Sequence, residues 1–360
     1  MMDVEGIDFF ELLGRPRLEI PTGPALTRLR SERVLITGAG GSLGSALTVT
    51  LARAGVSGLG LLDHHENSLF ELRQRLGREA PDARPDFFLA DIRNRGRLGR
   101  VLQFWEPTVV YHLAAFKHVP TGEEFPEEVV ATNVLGTRNL LEALSPSVRR
   151  FVFSSTDKVV NPAGVYGATK RVVELMLLAR SREVPTEFAI LRLVNTVGAR
   201  GGVIRTFISQ LRAGLPVTVT DPEMTRYWVA FPEAVDFLVW GGGDPAARGI
   251  FVLELGPPIR LGDTVERLAR LLGVEAPPVR ITGPRPGEKP AEELVYPGEA
   301  TEAAVPGAIR RVVAGEPPVS AAELADLIRR LECLVEAGDG DGLRAVLFEA
   351  VRAGTPGRFG

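Results

Sequence analysis

Between residues 33 and 195 short apolar runs alternate with longer stretches in which apolar residues recur every three to four positions. The runs RVLIT, GLGLLD, DFFLAD, TVVYHLAA, RRFVFSS and TEFAILRLV are apolar almost throughout, the pattern of strands covered on both faces. The stretches between them, such as ENSLFELRQRLGRE, RGRLGRVLQFW, EEVVATNVLGTRNLLEAL and YGATKRVVELMLLARS, carry the helical period. Strictly alternating strands and helices predict an α/β fold, a doubly wound parallel sheet of Rossmann type over residues 32–195. Residues 1–31 read as a polar, proline-containing leader. Beyond residue 195 the rhythm loosens into short strands (PVTV, GIFVLEL) and helices (PEAVDFLVW, GDTVERLARLLG, SAAELADLIRRLECLVEAG). Residues 196–350 are therefore expected to form a smaller substrate-binding part over the ligand edge of the sheet, with residues 351–360 as a tail.

Composition narrows the function classes. A hydrophobic content of 45% suits a globular protein with a sizeable core, and a net charge of −3 gives no reason to expect nucleic acid as a partner. One cysteine, Cys333, excludes an internal disulfide and fits a reducing compartment, the cytoplasm. No uncharged apolar run approaches the roughly 18 residues of a membrane span, and the N-terminus does not read as a signal peptide. His64 and His65 are adjacent and lack ligand spacing to other His or Cys, so no metal is expected. His112, at a buried strand end, reads as a core histidine, and His118 could serve either way.

The turn TGAGGSLG sets Gly38, Gly41 and Gly44 at GxxGxxG spacing between a strand and a helix. That arrangement lets the backbone approach a pyrophosphate, which sits on the helix N-terminus. Ser42 and Leu43 of the same turn, and Ala114 after the fourth strand, are expected on the cofactor. Asp63 ends the second strand where a carboxylate accepts the adenosine ribose hydroxyls. No arginine follows it directly, so NAD is favoured over NADP. Asp91 and Ile92 are expected along the adenine.

Of the 42 basic residues only four are lysines, Lys117, Lys158, Lys170 and Lys289, and two of them fall within SSTDKVVNPAGVYGATKR. Lysine can lose its proton when its pKa is lowered and arginine cannot, so this usage suggests chemistry. Tyr166 and Lys170 lie four apart at a helix start and share a face. The ammonium is expected to lower the tyrosine pKa, so that the phenolate removes a sugar hydroxyl proton while hydride leaves the same carbon.

With ITGAGGSLGS, HLAAFKHVP, TNVLGT, SSTDKVVNP, YGATK, VGARGGVI, PEMTRYWV and RPGEKPAEELV in place, the chain resembles the extended short-chain dehydrogenase/reductases. Within them it resembles the nucleotide-sugar 4,6-dehydratases of the UDP-N-acetylglucosamine type from bacterial polysaccharide biosynthesis. Even the leader FFELLGRPRLEI resembles the segment before the catalytic domain of membrane-anchored members, whose transmembrane helices this chain lacks. Those long forms carry methionine where Tyr166 stands; short soluble forms, several of which invert C5, carry tyrosine. The resemblance implies bound NAD, a UDP-sugar substrate and a homodimer or higher oligomer. It also implies Lys158 as the base at C5, Asp157 as the acid for the C6 oxygen and Thr156 on the C4 oxygen. Lys158 is then expected to have a lowered pKa and Asp157 a raised one.

All four lysines fall in these motifs. Lys117 is expected near the sugar, and Arg200, Arg226 and Arg285, with Asn195 and Glu288, near the UDP pyrophosphate. Asn133 is a candidate for ordering backbone and water, or a helix-packing residue. Two other readings remain: a 4- or 5-epimerase on the same fold, and a dinucleotide sensor. A 4-epimerase has no use for an Asp-Lys pair, and a sensor has none for YxxxK.

Overall fold

The six apolar runs form six parallel strands: β1 (Arg33–Thr37), β2 (Gly58–Asp63), β3 (Asp86–Leu89), β4 (Val109–His112), β5 (Arg150–Thr156) and β6 (Glu187–Leu193). This computed structural model describes residues 6–199, 201–313 and 319–354. The strands lie in the order β3-β2-β1-β4-β5-β6, which reverses between β1 and β4. At such a switch point the carboxyl ends of the strands open a crevice for a ligand. The sheet continues past β6 with the parallel strand Gly249–Leu253 and an antiparallel hairpin of Ile309–Val313 and Ala300–Val305. The doubly wound Rossmann-like fold is therefore present, enlarged at one edge.

Each face of the sheet buries its own apolar cluster. On one face Leu98, Trp105, Val134, Val172 and Leu177 meet Leu331 and Leu347 from the helical hairpin Ala321–Ala337 and Gly340–Ala353. On the other, helices Thr22–Leu29, Ser42–Arg53, Glu66–Glu79 and Phe231–Gly243 contribute Ala25, Leu47, Leu72 and Phe237. A third cluster joins Phe9 and Leu12 to Phe207, Val219, Trp228 and Leu268. Residues of the leader thus pack with the part beyond residue 195. Asp8 caps helix Phe9–Leu13, and Arg15 pairs at 2.7 Å with the fully buried Glu233.

The stretch expected as one long helix runs from Pro126–Val130 through a wide π turn, Ala131–Leu135, into Gly136–Glu142. The wide turn contains Asn133, whose Oδ1 accepts from the Phe116 amide at 2.9 Å. Its Nδ2 donates to the Phe116 carbonyl at 3.0 Å and to the Thr169 hydroxyl at 3.2 Å. Asn133 therefore orders the backbone beyond β4 and ties it to the helix of Tyr166. No helix of the described residues is long and apolar enough to cross a membrane.

Candidate active site

The glycine turn after β1 is held closed by shape. Gly38 sits at φ +71°, and a Cβ on it would lie 2.7 Å from the Ala114 amide nitrogen. A Cβ on Gly44 would lie 2.2 Å from the Gly38 carbonyl oxygen, so helix Ser42–Arg53 can seat against the turn only without a side chain there. Ser42, Leu43 and Gly44 form the first turn of that helix, behind Gly41 at its N-cap. Asp63, at the end of β2, is buried; its Oδ2 accepts from the Gly40 amide and its Oδ1 from the His65 amide, both at 2.9 Å. The carboxylate thus fixes both the glycine turn and the loop after β2.

A cavity of about 260 Å³ opens here, lined by Gly38, Gly41, Asp63, Asp91, Ile92 and Ala114 among others. It also brings in Arg93, which the sequence did not single out. Arg93 grips Asp91 through Nη2 at 2.7 Å and Glu128 through Nη1 at 2.7 Å. Burial would raise the Asp91 carboxyl, but its hydrogen bonds to Arg93 outweigh this and hold it below the ordinary range. No group of three or more His, Cys, Asp or Glu able to hold a metal ion occurs among the described residues. His112 is enclosed between the hydroxyls of Thr37 and Thr137, each 2.8 Å from a ring nitrogen, and burial pushes its pKa down to about 3.

Next to this cavity in the fold, the end of β5 turns into a short 3₁₀ helix, Asp157–Val159, for which Thr156 is the N-cap. The Thr156 hydroxyl donates to Asp157 Oδ1 at 3.0 Å, and Lys158 Nζ reaches the same oxygen at 3.0 Å. Asp157 is fully buried, and its Oδ2 has no hydrogen-bond partner. The turn lies against the first turn of helix Val165–Arg180, where a Cβ on Gly167 would lie 2.2 Å from the Lys158 carbonyl oxygen. This close approach brings Tyr166 beside Thr156, whose side chain hydrogen-bonds the phenol.

The electrostatics depart from expectation at two residues. Burial would push the Lys158 ammonium down, yet Asp157 and Glu292 outweigh it and hold Lys158 above the ordinary lysine range. A lowered Lys158 was expected, and the difference comes first from Asp157, 3.0 Å from Nζ, and then from Glu292, whose Oε1 lies 3.5 Å from Nζ. Tyr166 is likewise raised, because burial outweighs the Lys158 charge and the Thr156 hydrogen bond. The ammonium meant to lower it, on Lys170, instead donates to the Ser154 carbonyl at 2.9 Å and lies 4.5 Å over the Phe153 ring. Burial pushes Lys170 itself down to about 7. Asp157 moves as expected, raised by burial and then by Glu292, against the pull of Lys158.

A second buried assembly supports the turn from behind. Glu174 accepts from the Ser155 hydroxyl at 2.7 Å and from Arg192 Nε at 3.0 Å, and Arg171 pairs with it at 3.0 Å. Burial would raise the Glu174 carboxyl, but Arg192 and Arg171 hold it low. Both guanidiniums lie over the Tyr296 ring, Arg171 at 4.9 Å and Arg192 at 5.9 Å, and Tyr296 donates its hydroxyl to the Val159 carbonyl at 2.6 Å. The segment 285–299 is thereby fastened to the turn that carries Asp157 and Lys158. Lys289 also reaches it, donating to the Val160 carbonyl at 2.8 Å.

Of the residues expected around a UDP-sugar, Arg226 is buried, donating to the Thr225 carbonyl at 2.8 Å, and its charge acts on Glu292. Asn195 donates to the Tyr227 carbonyl at 3.2 Å, and Glu288 holds a buried, unpartnered Oε2. Lys117 and Arg285 are exposed, and Arg200 lies outside the described residues. Glu292, Tyr296 and Glu299 escaped the sequence reading. The one signal for Glu292 was its place three residues after Lys289 in a motif already noted.

The model of the polysaccharide biosynthesis protein family matches residues 34–313. The probable polysaccharide biosynthesis protein EpsC of Bacillus subtilis is 39% identical over 347 residues, covering 95% of this chain and 57% of EpsC. The chain thus spans little more than half the length of that relative. Among solved structures, Pen from Bacillus thuringiensis superposes with a TM-score of 0.72 at 28% identity, covering 80% of this chain and 87% of Pen. The UDP-glucose 4-epimerase of Thermus thermophilus, in complex with NAD, gives a TM-score of 0.64 at 25% identity, covering 73% and 90% of the two chains. On the family match and the EpsC identity together, the chain belongs to the polysaccharide biosynthesis protein family.

Proposed function

We propose that this chain is an NAD-dependent nucleotide-sugar 4,6-dehydratase acting on UDP-N-acetylglucosamine, yielding the 4-keto-6-deoxy sugar and water. The observation that carries this reading is the Asp157–Lys158 pair at 3.0 Å, on the turn that follows Thr156 and packs against the helix of Tyr166. The cradle between Gly38 and Ala114, the adjoining cavity and the Asp63 carboxylate fit a dinucleotide. In that fit the amides of Gly41 to Gly44 face the pyrophosphate, Asp63 the ribose, and Asp91 and Ile92 the adenine. NAD is preferred over NADP because Asp63 repels a 2′-phosphate, while Arg93 is already occupied by Asp91 and Glu128. When bound, NAD supplies an acceptor for the C4 hydride and returns that hydride to C6.

The protein residues do the rest. Tyr166, steered by the Thr156 hydroxyl, takes the C4 hydroxyl proton. The ketone so formed acidifies C5–H, which Lys158 removes after giving up a proton to a neighbouring carboxylate. Asp157, whose pKa is raised by burial, holds the proton that leaves with the C6 oxygen as water. Arg226, Asn195 and Glu288 form the substrate side, with Arg200, Arg285 and Lys117 as further candidates for the UDP phosphates and sugar. A 4-epimerase, the activity named for the Thermus neighbour, is the second reading; it uses Tyr166 but gives Asp157 and Lys158 no task.

Incubation with UDP-N-acetylglucosamine in deuterated water tests the two against each other. Loss of one water with one deuterium at C5 is the expected result, and the C5–H coupling reports retention or inversion. An unchanged mass with an altered C4 signal would favour the epimerase.

A further inference from the structure

Glu292 is not named in the mechanism above, yet it is buried, with 3% of its side chain exposed, inside the charged centre of the site. Its Oε1 lies 3.5 Å from Lys158 Nζ and its Oε2 lies 3.3 Å from Lys289 Nζ. Asp157 Oδ1 lies 3.0 Å from the same Lys158 Nζ. Two buried carboxylates therefore share one ammonium, and like charges this close do not both ionise freely. Their surroundings differ. Around Glu292 stand three cations, Lys158, Lys289 and Arg226. Around Asp157 stand the Lys158 ammonium, the Thr156 hydroxyl, the Tyr166 phenol, Tyr227 and Glu292 itself. Asp157 Oδ2 and Glu292 Oε2 are both buried without a hydrogen-bond partner, so the surrounding charge decides which carboxylate carries a proton, and the three cations around Glu292 assign it to Asp157.

We propose that Glu292 is a positioning residue that divides the protons of this site: it stays ionised at rest, which leaves Asp157 protonated, and it is the vacant carboxylate that receives the Lys158 proton during elimination. Its chemical half rests on the dehydratase reading; its resting charge distribution does not. The balance closes. The C5 proton goes to Lys158 Nζ as the Nζ proton goes to Glu292, and the Asp157 proton leaves with the C6 hydroxyl as water. Asp157 ends ionised and Glu292 protonated, so one proton has crossed the cluster, and reprotonation of C5 with solvent exchange resets it. The directions agree: burial would raise Glu292, but the surrounding cations hold it low, whereas Asp157 is raised.

The test is an infrared titration of carboxyl groups in the full chain, as wild type, Asp157→Asn and Glu292→Gln. A protonated carboxyl at pH 7 that is absent from Asp157→Asn is expected, with its midpoint falling by about one pH unit or more in Glu292→Gln. No such carboxyl in the wild type, or an unchanged midpoint in Glu292→Gln, overturns the resting assignment. If Glu292→Gln does not fold, the wild-type titration still decides, and Glu292→Asp, which keeps the charge, must keep the midpoint. With substrate, Glu292→Gln is expected to slow water loss roughly 10²-fold while C4 oxidation, read as transient reduced-nicotinamide absorbance, persists. Glu292→Asp should recover part of the loss. Wild-type water loss in Glu292→Gln overturns the acceptor role. A wild type that shows the titration but never releases water removes the dehydratase reading alone.

Discussion

Lys170→Met should make the protein more stable at neutral pH while abolishing turnover. Lys170 is 3% exposed, and burial lowers it from an ordinary 10.5 to about 7. Between these values the unfolded chain holds a proton that the folded chain does not. Folding stability therefore rises with pH through this window: the penalty is complete below about 7 and gone above about 10.5. Each pH unit is worth about 1.4 kcal/mol, so the window carries on the order of 5 kcal/mol. Methionine escapes that cost but loses the hydrogen bond to Ser154 and the contact over Phe153, together roughly 2–3 kcal/mol. A net gain of about 2 kcal/mol at pH 7 is left for the variant. The decisive quantity is the difference between the two proteins, in which other titrating groups cancel. Urea unfolding at pH 7.5 and pH 9.5, followed by tryptophan fluorescence, should show that difference moving by about 3 kcal/mol in favour of wild type. Parallel stability curves over this range would mean that Lys170 is charged in the folded protein, and the burial argument would be refuted.

Three further outcomes follow from the site. Gly167→Ala places a Cβ 2.2 Å from the Lys158 carbonyl oxygen; it should cost roughly 1–3 kcal/mol in a thermal melt and disturb the turn that holds Asp157. Tyr166→Phe should fold normally yet form no reduced nicotinamide on addition of substrate, and its appearance would remove Tyr166 from the hydride step. Asp63→Ala deprives the Gly40 and His65 amides of their acceptor as well as the ribose; calorimetry should show NAD binding weakened at least about tenfold and NADP relatively better tolerated.

How much of this was legible in the sequence depends on how far apart the interacting residues lie. The strands β1, β2, β4, β5 and β6 are largely buried on both faces, so their apolar runs announce themselves without knowledge of any partner, whereas the edge strand β3 leaves Leu89 exposed. The hairpin Ala300–Val305 and Ile309–Val313 does not, because ATEAAV is largely exposed and carries neither an apolar run nor a clean alternation. The leader looks polar along its length, yet Phe9, Leu12 and Leu13 reach the third cluster and Leu18, Ile20, Ala25 and Leu29 the second. In the site, Thr156, Asp157 and Lys158 are consecutive, so their meeting follows from one turn. Glu292 adds to the Asp157 charge that holds Lys158 high, and its approach depends on how residues 285–299 fold back through Tyr296 and Lys289. No local pattern encodes that return.

The helix carrying Tyr166 and Lys170 is enclosed on every side, with each residue from Val165 to Leu177 buried between the sheet and the C-terminal helical hairpin. An ordinary surface helix tolerates change along one stripe, and its record of accepted substitutions repeats every three to four positions. Here no such stripe exists. A saturation scan of residues 165–177 should return near-uniform intolerance, charged Arg171 and Glu174 included, since both lie inside the buried ion assembly. Sequence drift is thereby expected to fall on the exposed faces of the surrounding elements and to spare the helix that carries Tyr166 and Lys170.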